Sequence, residues 1–351
     1  MSSISTQSPD PLGASYVNED LNNPPVTSPS LEGFQRDSDI WFEDGNIIVI
    51  AQSTAFRFHK SVLASHSQVF RELFSVPQPS PNAGESEAID GCTVMYVSDT
   101  GYDFRELLRA IYRGVSYLHP EQTISFPILA ALARLGHKYQ LDQLLDAVIF
   151  RLQRTFNTDL EVWDRSRGFG ADSPLGLVPN NAIEALNLFR RLQRSDMIPT
   201  ALCGCSRLPP AVLIHGVDRA DGVTRESLEL TDLELCWKVQ KRLIREAVDQ
   251  MTLFSEYFVT RLAEVKCQRR DYCIEGLKIL LQETRRGMSY LAFVDPLDKF
   301  SSIFESDDAP FSKRLCRDCL AVLKSRHWEL RKKVWGKLPD IMGMSITGWG
   351  S

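Results

Sequence analysis

The feature that most constrains this chain is a change of hydrophobic period between residues 47 and 74. Ile47-Ile48-Val49-Ile50 and Ala55-Phe56-Arg57-Phe58 are β-branched and aromatic runs joined by Gln52-Ser53, which predicts a hairpin. In the second arm Phe56 and Phe58 share one face and Arg57 takes the other, the period-2 pattern of a half-buried strand. Directly afterwards Val62, Leu63, Val69, Phe70, Leu73 and Phe74 recur at helical spacing, which predicts helix over 60–74 with a break near His66. A hairpin feeding straight into helices predicts an α/β unit with one face of a small sheet covered.

The neighbouring residues extend that unit. Ile40-Trp41-Phe42 forms a short apolar run before the turn signal Glu43-Asp44-Gly45-Asn46, and Thr93–Val97 reads as a further strand. Asp103–Tyr112 is amphipathic, with Asp99 or Thr100 available as its cap and Gly114 as its stop. Helices follow at Phe126–Tyr139 and Leu141–Leu152, with Gly136 near the expected break. The Pro- and Ser-bearing stretch 75–84 reads as a loop. Residues 36–155 therefore predict three strands interleaved with about five helices.

Residues 156–351 predict a mostly helical region, with candidates at Asn181–Arg194, Thr231–Arg245, Met251–Lys266, Tyr272–Glu283 and Phe311–Val334. Pro209-Pro210 should end any helix begun around Ala201, and Gly216–Gly222 should form a turn. Residues 1–35 are rich in Ser, Pro and Asn and hold no Lys or Arg, so they predict a disordered tail that cannot bury enough apolar surface to offset its ordering entropy.

The order of pieces resembles a BTB/POZ domain. The matching residues are Asp39-Ile40, the hairpin ending at Phe58, His59-Lys60-x-x-Leu63, Ser65, Ser67-x-x-Phe70 and Leu73-Phe74. Then come the strand at Thr93–Val97, Asp99, and Phe104-x-x-Leu107-Leu108-x-x-Ile111-Tyr112-x-Gly114, with Ala133, Tyr139 and Leu144 in the closing helix pair. The resemblance covers about a third of the chain. It implies a dimerisation and adaptor module whose partners are proteins: a second copy, a relative, or a cullin-type ubiquitin ligase scaffold. In many such domains a segment before the first strand swaps between partners; here the preceding residues are polar, with Leu31 and Phe34 as anchors. Many cullin-recruiting members carry an apolar-x-Glu element in the loop after the Phe70–Phe74 region, and Ala83-Gly84-Glu85 fits it nominally. The C-terminal run Leu315-Cys316-Arg-Asp-Cys319, His327 and Arg331–Ile341 is similar to the tail of BTB proteins abundant in mushroom-forming fungi.

The partner-binding candidates are Ile40, Phe42, Phe70, Leu73, Phe74 and Tyr112, each of which serves either as an anchor or as plain core. Asp39 should bond to backbone of a neighbouring turn, and His59 should be structural, since no nucleophile or second base accompanies it.

Of the eight cysteines, Cys267-x5-Cys273 and Cys316-x2-Cys319 form two pairs. Two pairs suit a tetrahedral thiolate zinc site, with Cys203-x-Cys205, His215 and His327 as spare ligands; the other reading is reduced core thiols. We take the thiols as the expectation, so that no cofactor is implied, and keep a structural zinc as the alternative. Lys313 to Lys337 holds nine Lys and Arg against Asp318 and Glu329. That run supports a second hypothesis, a zinc-stabilised nuclear regulator that contacts nucleic acid. Against it stand the net charge of −5 and the seven-residue spacing of Trp328 and Trp335, which suits packing.

No phosphate-cradling glycine loop, Gly-x-Ser-x-Gly or His-Glu-x-x-His occurs, so no enzyme is expected. The absence of a signal-like start and of an apolar run of about 18 residues predicts an intracellular protein of cytoplasm or nucleus, neither secreted nor membrane-spanning.

Overall fold

The structure is a computed structural model that describes residues 33–75, 88–89, 91–114, 117–119, 123–166, 169, 173–261, 267, 269–290, 295–299 and 315–350. Most of the expected tail, and the loop holding Ala83-Gly84-Glu85, lie outside the described residues.

Strands β1 (Gln35–Trp41), β2 (Ile47–Ala51), β3 (Thr54–Phe58), β4 (Ala88–Ile89) and β5 (Cys92–Val97) form one mixed sheet in the order β1-β3-β2-β5-β4. The predicted hairpin is present: Ile47 lies opposite Phe58, and Ala51 opposite Thr54. On its other side β2 runs parallel to β5, and all five β2 residues are buried, as a central strand between two covered faces requires. One face carries Ile47, Val49, Phe56, Phe58 and Met95 towards the helices. The opposite face carries Ile48, Ile50, Ala55, Cys92 and Val94, against which Phe34 and Trp41 pack. Two strands were not anticipated at full length. β4 has two residues, too few to show a period, and β1 is mostly polar because it sits at the sheet edge.

Helices α1 (Lys60–His66) and α2 (Gln68–Ser75) are separated at Ser67. The Ser67 hydroxyl accepts the Phe70 N–H and donates to the Tyr139 carbonyl, so the break also ties the pair to a distant helix. Helix α3 (Gly101–Arg113) is capped by Thr100, and Gly114 ends it at φ 56°. Helices α4 (Phe126–Lys138) and α5 (Asp142–Gln153) are parted at Gln140, which takes φ 51°. Gly136 is therefore not the break. It lies within α4, where a Cβ would meet that of Leu145 at 3.4 Å, and so lets α5 approach closely.

The later helices are α6 (Leu160–Arg165), α7 (Asn181–Arg191), α8 (Ile198–Cys205), α9 (Pro210–His215), α10 (Leu230–Arg261), α11 (Arg270–Tyr290) and α12 (Arg317–Met342). The two expected helices at 231–245 and 251–266 are one continuous α10 up to Arg261; residues 262–266 are outside the described set. Pro210 opens α9 instead of only ending α8, because the first turn needs no N–H from it. The Gly216–Gly222 turn belongs to a small hairpin of β6 (Val217–Asp218) and β7 (Arg225–Glu226).

Helix α4 is the pivot of the fold. Every residue from Leu129 to Gly136 is buried, as expected of a helix apolar all round. Leu135 faces the sheet-side core. Leu129, Ala130, Leu132 and Ala133 join a second core that runs through Val148, Leu186, Phe189, Leu202, Cys236, Val239, Trp335 and Leu338. The two halves of the chain thus share a core across residue 155.

Candidate functional site

The six partner-binding candidates fall in one apolar cluster. Ile40 and Phe70 lie inside it, at 4% and 0% exposure, so both support the surface from within. Phe42, Leu73, Phe74 and Tyr112 are half-buried at its rim. Phe42 stacks on Tyr112 at 4.8 Å between ring centroids, and Phe74 stacks on Phe70 at 5.6 Å.

His59 is structural. Its N–H donates to the Tyr112 hydroxyl at 3.0 Å, its Nδ1 lies 3.1 Å from the same oxygen, and its Nε2 is 3.1 Å from Asp44. The role expected of Asp39 is taken by Asp37, whose Oδ1 accepts the N–H groups of Asp39 and Ile40 at 2.9 Å. Although burial works against it, the bond from Arg105 and these N–H groups lower the Asp37 pKa. Asp39 instead pairs with Arg109 and Arg113, at 2.6 and 3.4 Å. A backbone-capping carboxylate and an ion-paired one two residues apart are indistinguishable by residue type.

An unanticipated buried triad fixes α3, α4 and α7 together. Arg134 donates through Nε and Nη2 to Asp103 at 2.9 and 2.8 Å, and through Nη1 to Glu184 at 2.5 Å. Burial raises the Glu184 pKa despite Arg134. An Arg inside an apolar stretch was the available signal; its partners lie 31 and 50 residues away.

The four paired cysteines do come together. The sulfurs of Cys267, Cys273, Cys316 and Cys319 all lie within 4.8 Å of one another. Cys267 Sγ is 3.5 Å from Cys273 Sγ and 3.8 Å from Cys316 Sγ, and the Cys316 N–H points at Cys273 Sγ at 3.3 Å. Cys316 is the N-cap of α12, which places Cys319 in the first turn on the same side. Burial opposes ionisation of Cys316, yet bonds from the Cys319 N–H and the neighbouring thiols outweigh it and lower its pKa. Burial raises the pKa of Cys273 and of Cys319. Such a set of donors can hold a metal ion. The spare ligands are elsewhere: Cys203 and Cys205 are buried in the large core, and neither His215 nor His327 joins the sulfur cluster.

The helix that carries the basic run packs through its other face: Arg317, Lys324, Lys332 and Lys333 are exposed, while Arg331 and Lys337 are engaged within the molecule. Arg331, 3% exposed, holds Asp164 through two bonds of 2.8 and 2.6 Å and donates to the Leu297 carbonyl. Lys337 pairs with Glu246 at 2.9 Å. Trp335 is buried, donates to the Thr158 carbonyl, and lies against Trp163 and Trp349. A groove of about 640 Å³ lies beside α7 and the start of α10, where Arg190 pairs with Asp232 and Glu226 accepts from Asn187 and pairs with Arg219. No helix among the described residues is long and apolar enough to cross a membrane.

Residues 42–155 match the family model of the BTB/POZ domain, and this part of the chain is a BTB/POZ domain. Such domains are non-catalytic modules that mediate protein–protein interactions, self-association included. No match to the chain is found among curated proteins. The edge strand β1 and the helical region from α6 onward lie outside the matched range.

Proposed function

We propose that the chain is a non-catalytic adaptor whose BTB/POZ domain pairs with a second copy of itself or with a cullin-type ubiquitin ligase scaffold, while the helical half offers a second binding surface. The observation that carries this reading is the family match over 42–155, with Phe42, Leu73, Phe74 and Tyr112 half-buried at the rim of its core. Anchors of this kind supply most of the affinity of an interface when they enter a matched pocket. We also propose two units, 36–155 and 156–351, that move as one body, because they share a core and the Arg134 triad. Such a role belongs to the cytoplasm or nucleus. The motif from Leu315 to Ile341 supports kinship with the BTB proteins of mushroom-forming fungi. The nucleic-acid reading is weakened because Arg331 and Lys337 are engaged within the molecule.

Light scattering of the purified full chain over a concentration series, alone and with the N-terminal domain of a cullin, tests the adaptor reading. A dimer mass or a co-eluting complex is expected. Phe74→Glu should abolish it while the melting temperature stays within a few degrees of the parent. A monomer at every concentration that also ignores the cullin overturns the proposal.

A further inference from the structure

We propose that Cys267, Cys273, Cys316 and Cys319 are the ligands of one structural zinc ion that clamps the chain entering α11 to the first turn of α12. The sulfur spacing suits a tetrahedral thiolate site. A Zn–S bond of about 2.3 Å fixes a tetrahedral edge of about 3.8 Å; Cys267 Sγ lies 3.5 and 3.8 Å from two of the other sulfurs, and all four lie within 4.8 Å of one another. Disulfide-bonded sulfurs sit at about 2.05 Å, so this spacing is that of unbonded sulfurs around a common centre.

The donor set narrows the ion to a thiophilic metal, zinc or iron, and zinc is the one that needs no redox partner. Four soft thiolates without a carboxylate or imidazole favour zinc over the hard cations, and four protein ligands leave no open position for substrate. The site is therefore structural. Loading is balanced by release of four thiol protons, giving a complex of net charge −2. The N-terminal end of α12, which begins immediately after Cys316, favours that charge.

The remaining cysteines behave differently. Cys203, Cys205 and Cys236 are buried in the large core and Cys92 is buried on the outer face of the sheet, where a thiol acts as a small hydrophobe. In the four-sulfur corner Cys267 and Cys316 are only half-buried, and among the described residues the apolar shell holds Leu277, Leu315, Leu323 and Leu330 with a few partly buried neighbours. A metal held by all four sulfurs would add a staple between the chain entering α11 and the first turn of α12.

The test is metal analysis of the full chain purified without chelator. About one zinc per chain is expected, and exchange into cobalt(II) should give the absorption of a tetrahedral tetrathiolate. Cys267→Ser and Cys316→Ser should each lose the bound metal, whereas Cys92→Ala should retain it. Because the parent chain is measured first, failure of a variant to fold does not rescue the idea. A reduced parent that carries no zinc and takes up no cobalt overturns it. So does the recovery of disulfide-linked peptides containing these four residues from protein digested under non-reducing conditions. Neither outcome bears on partner binding by the BTB/POZ domain.

Discussion

The sheet-side core of the BTB/POZ domain and the four-sulfur corner hold helices by different means. In the first, Phe56, Phe58, Phe70 and Phe104 are fully buried and meet ring to ring, with Phe70 also stacked on Tyr139 at 4.2 Å. In the second, a few leucines and four sulfurs join α11 to α12. Apolar density holds the one, and in the other the proposed zinc would add a metal link to the apolar contacts. The difference teaches that a region can be helical by pattern and still owe its tertiary order to chemistry that the pattern does not express.

The sharpest way to break this comparison is Phe70→Ala. Removing a fully buried aromatic side chain should cost about 3–5 kcal/mol, read by urea denaturation. Metal content of the folded fraction should stay as in the parent. If zinc is released in step, the corner and the core are one cooperative unit and the distinction between them fails.

A comparable loss, about 3–5 kcal/mol near neutral pH, is expected for Arg134→Met, because it strands Asp103 and Glu184 as buried, unpaired carboxylates. The sign with pH follows from burial, which raises the pKa of an unpaired acid. The cost should grow as pH rises through the raised Glu184 pKa and shrink in acid, where that carboxyl takes up a proton. Denaturation of the parent and the variant at pH 5 and pH 8 measures it. A gap that is equal at both values, or wider in acid, contradicts the triad's role.

These cases show what was legible. The hairpin, the α1–α2 break and the α3 cap follow from local period and residue type, which decide the structure wherever contacts are short in sequence. The candidates Ile40 and Phe70 were found as apolar positions, but a spacing pattern does not separate core from rim, and only Phe42, Leu73, Phe74 and Tyr112 reach the half-buried layer. The cysteine pairs were visible as pairs. Their convergence depends on how α12 meets the segment before α11, a long-range packing event that no local pattern encodes. Arg134 escapes for the same reason, whereas Asp37 caps N–H groups only two and three residues on and escapes because residue type does not separate it from Asp39.

A smaller effect tests whether α12 is packed as tightly as the BTB core. His327 is 8% exposed; burial, and secondarily the charge of Arg331, lower its pKa from 6.5 to about 4. The unfolded chain takes up a proton below 6.5, whereas the folded chain resists until about 4. The contribution is therefore present above pH 6.5 and lost as pH falls to about 4, by at most about 3 kcal/mol. His327→Gln should flatten that slope. An unchanged acid limb in the variant would assign it to other groups, though not to Asp37, whose lowered pKa places its own loss below the ordinary 3.8.

The smallest expected effect is Thr100→Ala. Thr100 Oγ1 accepts the Asp103 N–H at 3.0 Å and so satisfies one donor in the first turn of α3. Losing such a cap costs about 1 kcal/mol, and Thr100→Ser should restore most of it. The site is informative because Asp103 carries both the capped N–H and the carboxylate that holds Arg134. If the cap only closes a helix end, the loss stays near that size and adds independently to the loss from Arg134→Met. If it also positions Asp103 for the triad, a double-mutant cycle should return a coupling of about 0.5 kcal/mol or more, and a cap at the sheet-side core would then act on the junction with the helical half.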